Sequence, residues 1–193
     1  MSGFEILTIT FSFIVGLGMA QVLRSVGHVI RERDRISLHW IPFSAAVLIL
    51  FFQIQFWFGL AVINSLLEQW AWPVYSLVLS LAVLIFLAGA TVLPPPGTGV
   101  DHDLREDFRR RGRVSLLFLA VYLLGWIGVG IMFWRPEFWW LVGVNGLMAL
   151  LLVLAYQARR GEFALHVALL ALTAFGSVTV WTTPNLQMPL MSW

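Results

Sequence analysis

Long runs without a charged side chain follow one another along this sequence. A helix needs about 20 apolar residues to cross the roughly 30 Å hydrocarbon core of a bilayer. Lipid offers no partners to backbone N–H and C=O groups, so each crossing segment must be helical. The pattern therefore predicts an all-α integral membrane bundle of six transmembrane helices. We place the spans at about residues 4–27, 41–64, 72–92, 114–134, 138–157 and 163–182.

Prolines fall at the predicted boundaries. Pro42, Pro73 and Pro136 stand in the first turns of spans, where a missing N–H is tolerated. The three consecutive prolines at 94–96 end the third span, because proline cannot continue a helix. They open the longest predicted connection, a loop over residues 93–113.

The placement of arginine predicts the orientation of the bundle. Of the 12 basic residues, all of which are arginine, only Arg135 lies away from the connections that follow spans one, three and five. Positively charged connections remain on the cytoplasmic side of a membrane. The loop over 93–113 is therefore expected in the cytoplasm, and both termini on the outer, non-cytoplasmic side.

Composition limits the classes of function. Hydrophobic residues make up 60% of the chain and charged residues 11%, whereas a soluble domain has about 25% charged residues. Residues 1–193 are expected to form a single transmembrane domain with no soluble enzyme domain, and no nucleic-acid partner is expected. The absence of cysteine excludes disulfides and thiolate catalysis. The first apolar stretch lacks a basic leader and a cleavage site, so it is expected to remain as the first helix.

Uncharged polar residues meet at one predicted depth in the bilayer. At about 1.5 Å per residue, Gln53 in span two and Asn145 in span five reach a similar level. The candidate polar layer comprises Gln53, Asn145, Ser12, Trp126, Thr173 and Ser177. Such residues tie helices together by hydrogen bonds, and the alternative is a layer that holds the head of a quinone-like or lipid ligand.

The connection before span four predicts a short helix over residues 101–113. Asp101 can cap it, and Glu106–Arg110 and Asp107–Arg111 have the favourable i,i+4 polarity. This helix would be either a solvated, self-paired segment or a surface that binds anionic lipid headgroups. The candidate headgroup contacts are Arg109, Arg110, Arg111 and Arg113.

Three histidines come near the inner ends of their spans: His28, His39 and His166. Histidines that face one another can ligate haem or a metal ion. Their spacing fits no ligand motif, so no metal site and no particular cofactor is predicted, and haem ligation stays an alternative.

Glycines recur within three of the predicted spans, and glycine allows helix backbones to approach closely. They predict close helix packing, with hinges for gating as the alternative. The positions are Gly16 and Gly18, then Gly125, Gly128 and Gly130, and finally Gly143 and Gly146.

The first third of the chain carries a recognisable pattern. It includes Gly16-Leu17-Gly18, the arginines Arg33 and Arg35, Trp40, and Gln53-x-Gln55-Phe56-Trp57. Over about residues 4–60 the chain resembles small multi-pass inner-membrane proteins of bacteria for which no function is established. The resemblance implies a protein of the bacterial cytoplasmic membrane and supplies no catalytic residue.

Three functions remain after these exclusions. No span carries a central charged residue, which argues against a proton relay or a carrier of charged substrates. No catalytic constellation is found. We expect a non-enzymatic membrane protein that acts by association, as a homo-oligomer or as an accessory subunit that contacts membrane proteins, lipid or a hydrophobic cofactor. The alternatives are a small channel or carrier for a neutral or apolar solute, and a haem-binding redox protein.

Overall fold

The computed structural model describes residues 3–67, 70–97, 103–133, 139–158 and 162–182. In these ranges the regular structure is helical, apart from one isolated backbone bridge. The helices are α1 (Gly3–Arg31), α2 (Trp40–Leu66), α3 (Trp72–Thr91), α4 (Leu104–Asp107), a π-helical turn (Phe108–Gly112), α5 (Val114–Phe133), α6 (Trp139–Gln157) and α7 (Glu162–Thr182).

The long helices form a ring of neighbours. Going round the bundle, α1 packs on α3, α3 on α5, α5 on α6, α6 on α7, α7 on α2, and α2 again on α1. Helices α2 and α3 also contact each other across the ring. This order differs from the order in the sequence, so residues far apart in the chain come together at each end of the bundle.

Apolar side chains cover both the inside and the outside of the bundle. Phe11, Phe56 and Ile85 are fully buried, whereas Phe13 and Phe175 are 68% and 61% exposed. Large apolar groups on the outside are expected where the surroundings are lipid. Of the described helices, α1, α2, α3 and α5 are long and apolar enough to cross a membrane, while the apolar parts of α6 and α7 are shorter.

The expected helix before span four is present, and it is short. Asp103 caps α4, since its carboxylate accepts a hydrogen bond from the Arg105 N–H at 2.9 Å; the predicted cap, Asp101, lies outside the described residues. The Leu104 N–H donates to the carbonyl of Ser37 at 3.2 Å. The connection between α1 and α2 is thereby fixed to the start of α4.

Close packing explains some of the glycines. An added Cβ at Gly18 would lie 2.6 Å from the Gln53 amide nitrogen, and one at Gly125 would collide with Leu81. Gly16, Gly128 and Gly143 have open space around them instead. These three glycines therefore lie on outward faces of α1, α5 and α6.

Candidate functional site

The carboxylate of Glu162 binds three arginines at one end of the bundle. Glu162 is the first residue of α7 and is only 5% exposed. Its carboxylate accepts hydrogen bonds from Arg109 Nε at 3.1 Å, from Arg105 Nη2 at 3.4 Å, and from Arg113 Nη2. These four residues form what we call the arginine cluster.

The local helix geometry brings the three arginines to one side. Arg105, Arg109 and Arg113 follow one another at intervals of four residues. The Arg113 N–H donates to the carbonyl of Phe108 at 2.8 Å, an i→i+5 bond that closes the π-helical turn. Because this turn is wider than an α-helical turn, it keeps a four-residue spacing closer to one face. Leu104 and Phe108, one residue before Arg105 and Arg109, are both buried and hold the adjacent side of this segment in the core.

Arg113 also caps the C-terminal end of α6. Its Nη2 donates to the carbonyl of Ala158 at 2.7 Å, and its Nη1 to the carbonyl of Tyr156 at 3.5 Å. The last carbonyls of a helix have no partner within the helix. One guanidinium thus joins the end of α6, the start of α7 and the start of α5.

The arginines keep Glu162 ionised. Burial by itself would raise the pKa of the Glu162 carboxyl, but the hydrogen bonds and positive charge of Arg109, Arg113 and Arg105 outweigh it and lower the pKa below the ordinary value. A carboxylate with a lowered pKa is a poor proton donor or acceptor near neutral pH. The cluster is thus suited to holding helices and presenting positive charge.

The four arginines predicted to contact headgroups border one open cleft. It has a volume of about 270 Å³ and is lined by Arg109, Arg110, Arg111, Arg113, Val114 and Tyr156. Arg110 binds Glu106 at 2.7 Å, as predicted from their spacing. Within the described ranges Arg111 has no ion pair with Asp107, although the two line a second, smaller cleft at the end of α3.

The candidate histidines have different surroundings. His166 is buried, with Nδ1 3.3 Å from the Ser44 hydroxyl and its ring against Trp40 and Phe108. His39 caps α2 by accepting from the Ile41 N–H at 3.3 Å. Burial, followed by the charge of Arg105, lowers the pKa of His39, which keeps its ring neutral for this role.

The described residues contain no group of three His, Asp or Glu side chains placed to hold a metal ion. His28 lies near the end of α1, where its Nε2 is buried without a hydrogen-bond partner in the described part of the chain. Haem ligation by His28, His39 or His166 therefore stays a prediction.

Gln53 is the member of the polar layer that links helices. It is fully buried, and its Nε2 donates across from α2 to the carbonyl of Ile85 in α3 at 3.4 Å. Gly18 of α1 and Gly89 of α3 make the space, since a Cβ at either position would lie within 3 Å of the Gln53 nitrogen (2.6 Å and 2.9 Å). The amide is thus enclosed between α1 and α3.

The other members of the layer do not form hydrogen bonds between helices in the described part of the chain. Ser12, Thr173 and Ser177 each donate to the carbonyl four residues earlier in their own helix. Trp126 packs edge-on against Phe56 and Tyr122. Asn145 lies half-buried on α6. Within the described ranges the hydrogen bond that joins two of the six residues runs from Ser177 to the Thr173 carbonyl inside α7, and none joins members on different helices. Neither described cleft is lined by any of the six.

Sequence reasoning did not select Glu162. The signal was its position, since Glu162 is the acidic residue that directly precedes the uncharged run from Phe163 to Trp193. A charged residue that begins a long uncharged run and is buried in the fold needs an oppositely charged partner, because an unpaired buried charge is costly.

No family model, no curated protein and no solved structure matches this chain.

Proposed function

We propose that this chain is a non-enzymatic integral membrane protein of six transmembrane helices that acts by association with other membrane components. It would assemble with copies of itself or serve as an accessory subunit in the bacterial cytoplasmic membrane, with both termini on the outer side. The observation that carries the proposal is an outward face of α1 in which Gly16 has open space between two exposed apolar residues.

That face combines two features. Phe13 and Leu17 are 68% and 60% exposed, and beyond the adjoining residues and backbone of α1 no described atom lies within 4 Å of the position where a Cβ on Gly16 would stand. Helices in lipid associate by van der Waals packing at small residues, where two backbones can approach. The face therefore suits a second helix, which would fill the space at Gly16.

The ends of the helices support the proposed orientation. The contacts of Glu162, Arg113 and Leu104 gather the end of α6 and the starts of α4, α5 and α7 at one end of the bundle. The cationic end of a multi-helix membrane protein faces the cytoplasm. Helices α6 and α7 stand in the same ring as the four longer helices, which supports counting them as spans.

Single-cysteine labelling tests the orientation, because the chain has no cysteine of its own. The variants are Asp34→Cys, in the connection between α1 and α2, and Ala71→Cys, at the start of α3; both positions are exposed. In intact cells a membrane-impermeant maleimide should label position 71 and should reach position 34 only after lysis. The opposite order would overturn the proposed orientation.

Mass measurement in lipid nanodiscs and crosslinking in native membranes test association. Wild type should form a discrete oligomer or a complex of fixed stoichiometry. Gly16→Leu should weaken it by filling the space on α1, whereas Val47→Leu adds bulk to an exposed position on α2 and should leave it intact. A wild-type protein that stays monomeric and unpartnered in both experiments would overturn the proposal.

A further inference from the structure

The cleft beside the arginine cluster has an unusual balance of charge. Four of its lining residues are arginines, and none is acidic. Arg109 and Arg113 share the single negative charge of Glu162 with Arg105. Three guanidinium groups therefore face one carboxylate, which leaves an excess of positive charge at the wall of the cleft.

The two remaining arginines are on the solvent side. Arg110 is 75% exposed at its side chain and is paired with Glu106, which is itself half exposed. Arg111 is exposed and is not ion-paired in the described part of the chain; it lines the second cleft together with Asp107. The open side of the main cleft is therefore available to an anion, and Arg111 can reach it without breaking a buried contact.

We propose that this cleft binds the phosphate of an anionic phospholipid headgroup. Guanidinium groups match phosphate oxygens by paired, charge-assisted hydrogen bonds. Glu162 acts as a positioning residue, because it holds Arg109 and Arg113 at the wall before any ligand arrives. Tyr156, 39% exposed, lines the cleft from the side of α6.

The position of the cleft favours a lipid over a soluble phosphate compound. Val114 is the first residue of α5 and Tyr156 is near the end of α6, so the cleft lies where apolar helices meet the charged connection. Val121 of α5 is 50% exposed and lies about two turns beyond Val114 on the same face of the helix. An acyl chain can lie along this face while the phosphate occupies the cleft.

This inference rests on the proposed membrane orientation but not on self-association, so its test uses a different measurement. Delipidated protein in mild detergent is titrated with phosphatidylglycerol or phosphatidylcholine, and bound lipid is counted by native mass spectrometry. We expect one phosphatidylglycerol per chain, bound more tightly than phosphatidylcholine. Arg111→Gln should weaken phosphatidylglycerol binding about fivefold, which corresponds to the ~1 kcal/mol of one arginine near an anionic surface.

Arg33→Gln is the matched control, since it removes the same charge from an exposed position in another connection at the same end. It should change the affinity by less than about twofold, because more distant exposed charges are screened by salt. An equal loss in both variants, or equal binding of the two lipids, would overturn the site. Displacement of the lipid by inorganic phosphate at equal concentration would overturn the assignment to a lipid. An oligomer without bound phosphatidylglycerol would refute this inference alone.

Discussion

Arg113 binds Glu162 across the junction where α5 begins and α7 begins, and the same guanidinium holds the carbonyl of Ala158 at the end of α6. Its side chain is 16% exposed, the least of the three arginines on this carboxylate. Three consecutive helices, α5, α6 and α7, therefore meet at one pair of charged groups.

Glu162→Gln should destabilise the protein by about 2 kcal/mol. Removing one partner of a buried ion pair costs about 3–5 kcal/mol, and the partial exposure of the arginines reduces this value. Glu106→Gln is the matched control, because it also removes a carboxylate from an arginine but at the surface; its effect should stay within about 0.5 kcal/mol. Thermal unfolding in detergent measures both, and equal effects would contradict a special role for Glu162.

The contribution of Glu162 should depend on pH in one direction. Its pKa is lowered in the folded protein, so its contribution is complete above the pKa of the unfolded chain and is lost as pH falls through the folded value. The stability difference between wild type and Glu162→Gln should be constant from pH 7 to about pH 5 and should shrink below about pH 4. Unfolding curves across this range measure it, and a difference that grew on acidification would contradict the sign.

Arg113→Lys should loosen the junction although it keeps the charge. A lysine ammonium is one compact point of charge and cannot span the Glu162 carboxylate and the end of α6 as a guanidinium does. We expect a loss of about 1 kcal/mol and faster amide exchange at the end of α6. Arg111→Lys, on the exposed side of the same turn, should change neither property. Hydrogen exchange by mass spectrometry would show whether the two variants differ.

Gly18→Ala should destabilise the bundle, whereas Gly128→Ala, on an outward face of α5, should not. A Cβ at position 18 meets the enclosed Gln53 amide and the backbone of Phe86 (3.3 Å), while a Cβ at position 128 has open space around it. Overpacking of this kind costs about 1–3 kcal/mol, and we expect the lower end because the Gln53 amide can shift slightly. Unfolding in mixed detergent would measure both, and an unchanged Gly18→Ala would mean that the helices separate easily.

The helical character of the chain was predictable from its uncharged runs, because a single segment in lipid can satisfy its backbone hydrogen bonds only as a helix. The pair Glu106–Arg110 followed from helix spacing alone and is confirmed. Glu162 was not predictable in this way. Its partner Arg109 is 53 residues away, and only the order of helices round the ring brings the two together.

The position of a residue along its helix predicts its contacts less well than the direction in which its side chain points. The rise per residue predicts that Gln53 and Asn145 lie at one level, but it does not tell which way a side chain faces. Gln53 turns toward α3, while Ser12 and Ser177 bond to their own helices. Gly18 indicates the direction of the Gln53 side chain, because the missing side chain at position 18 leaves the space that the Gln53 amide occupies.

The enclosed amide of Gln53 has a consequence for how the chain enters the membrane. Its acceptor, the carbonyl of Ile85, belongs to α3, which emerges from the ribosome after α2. Until then the Nε2 group of Gln53 lacks this acceptor in lipid, and an unpaired polar group there is costly. Release of α2 into the bilayer should therefore wait for α3, so that these two helices leave the insertion machinery together.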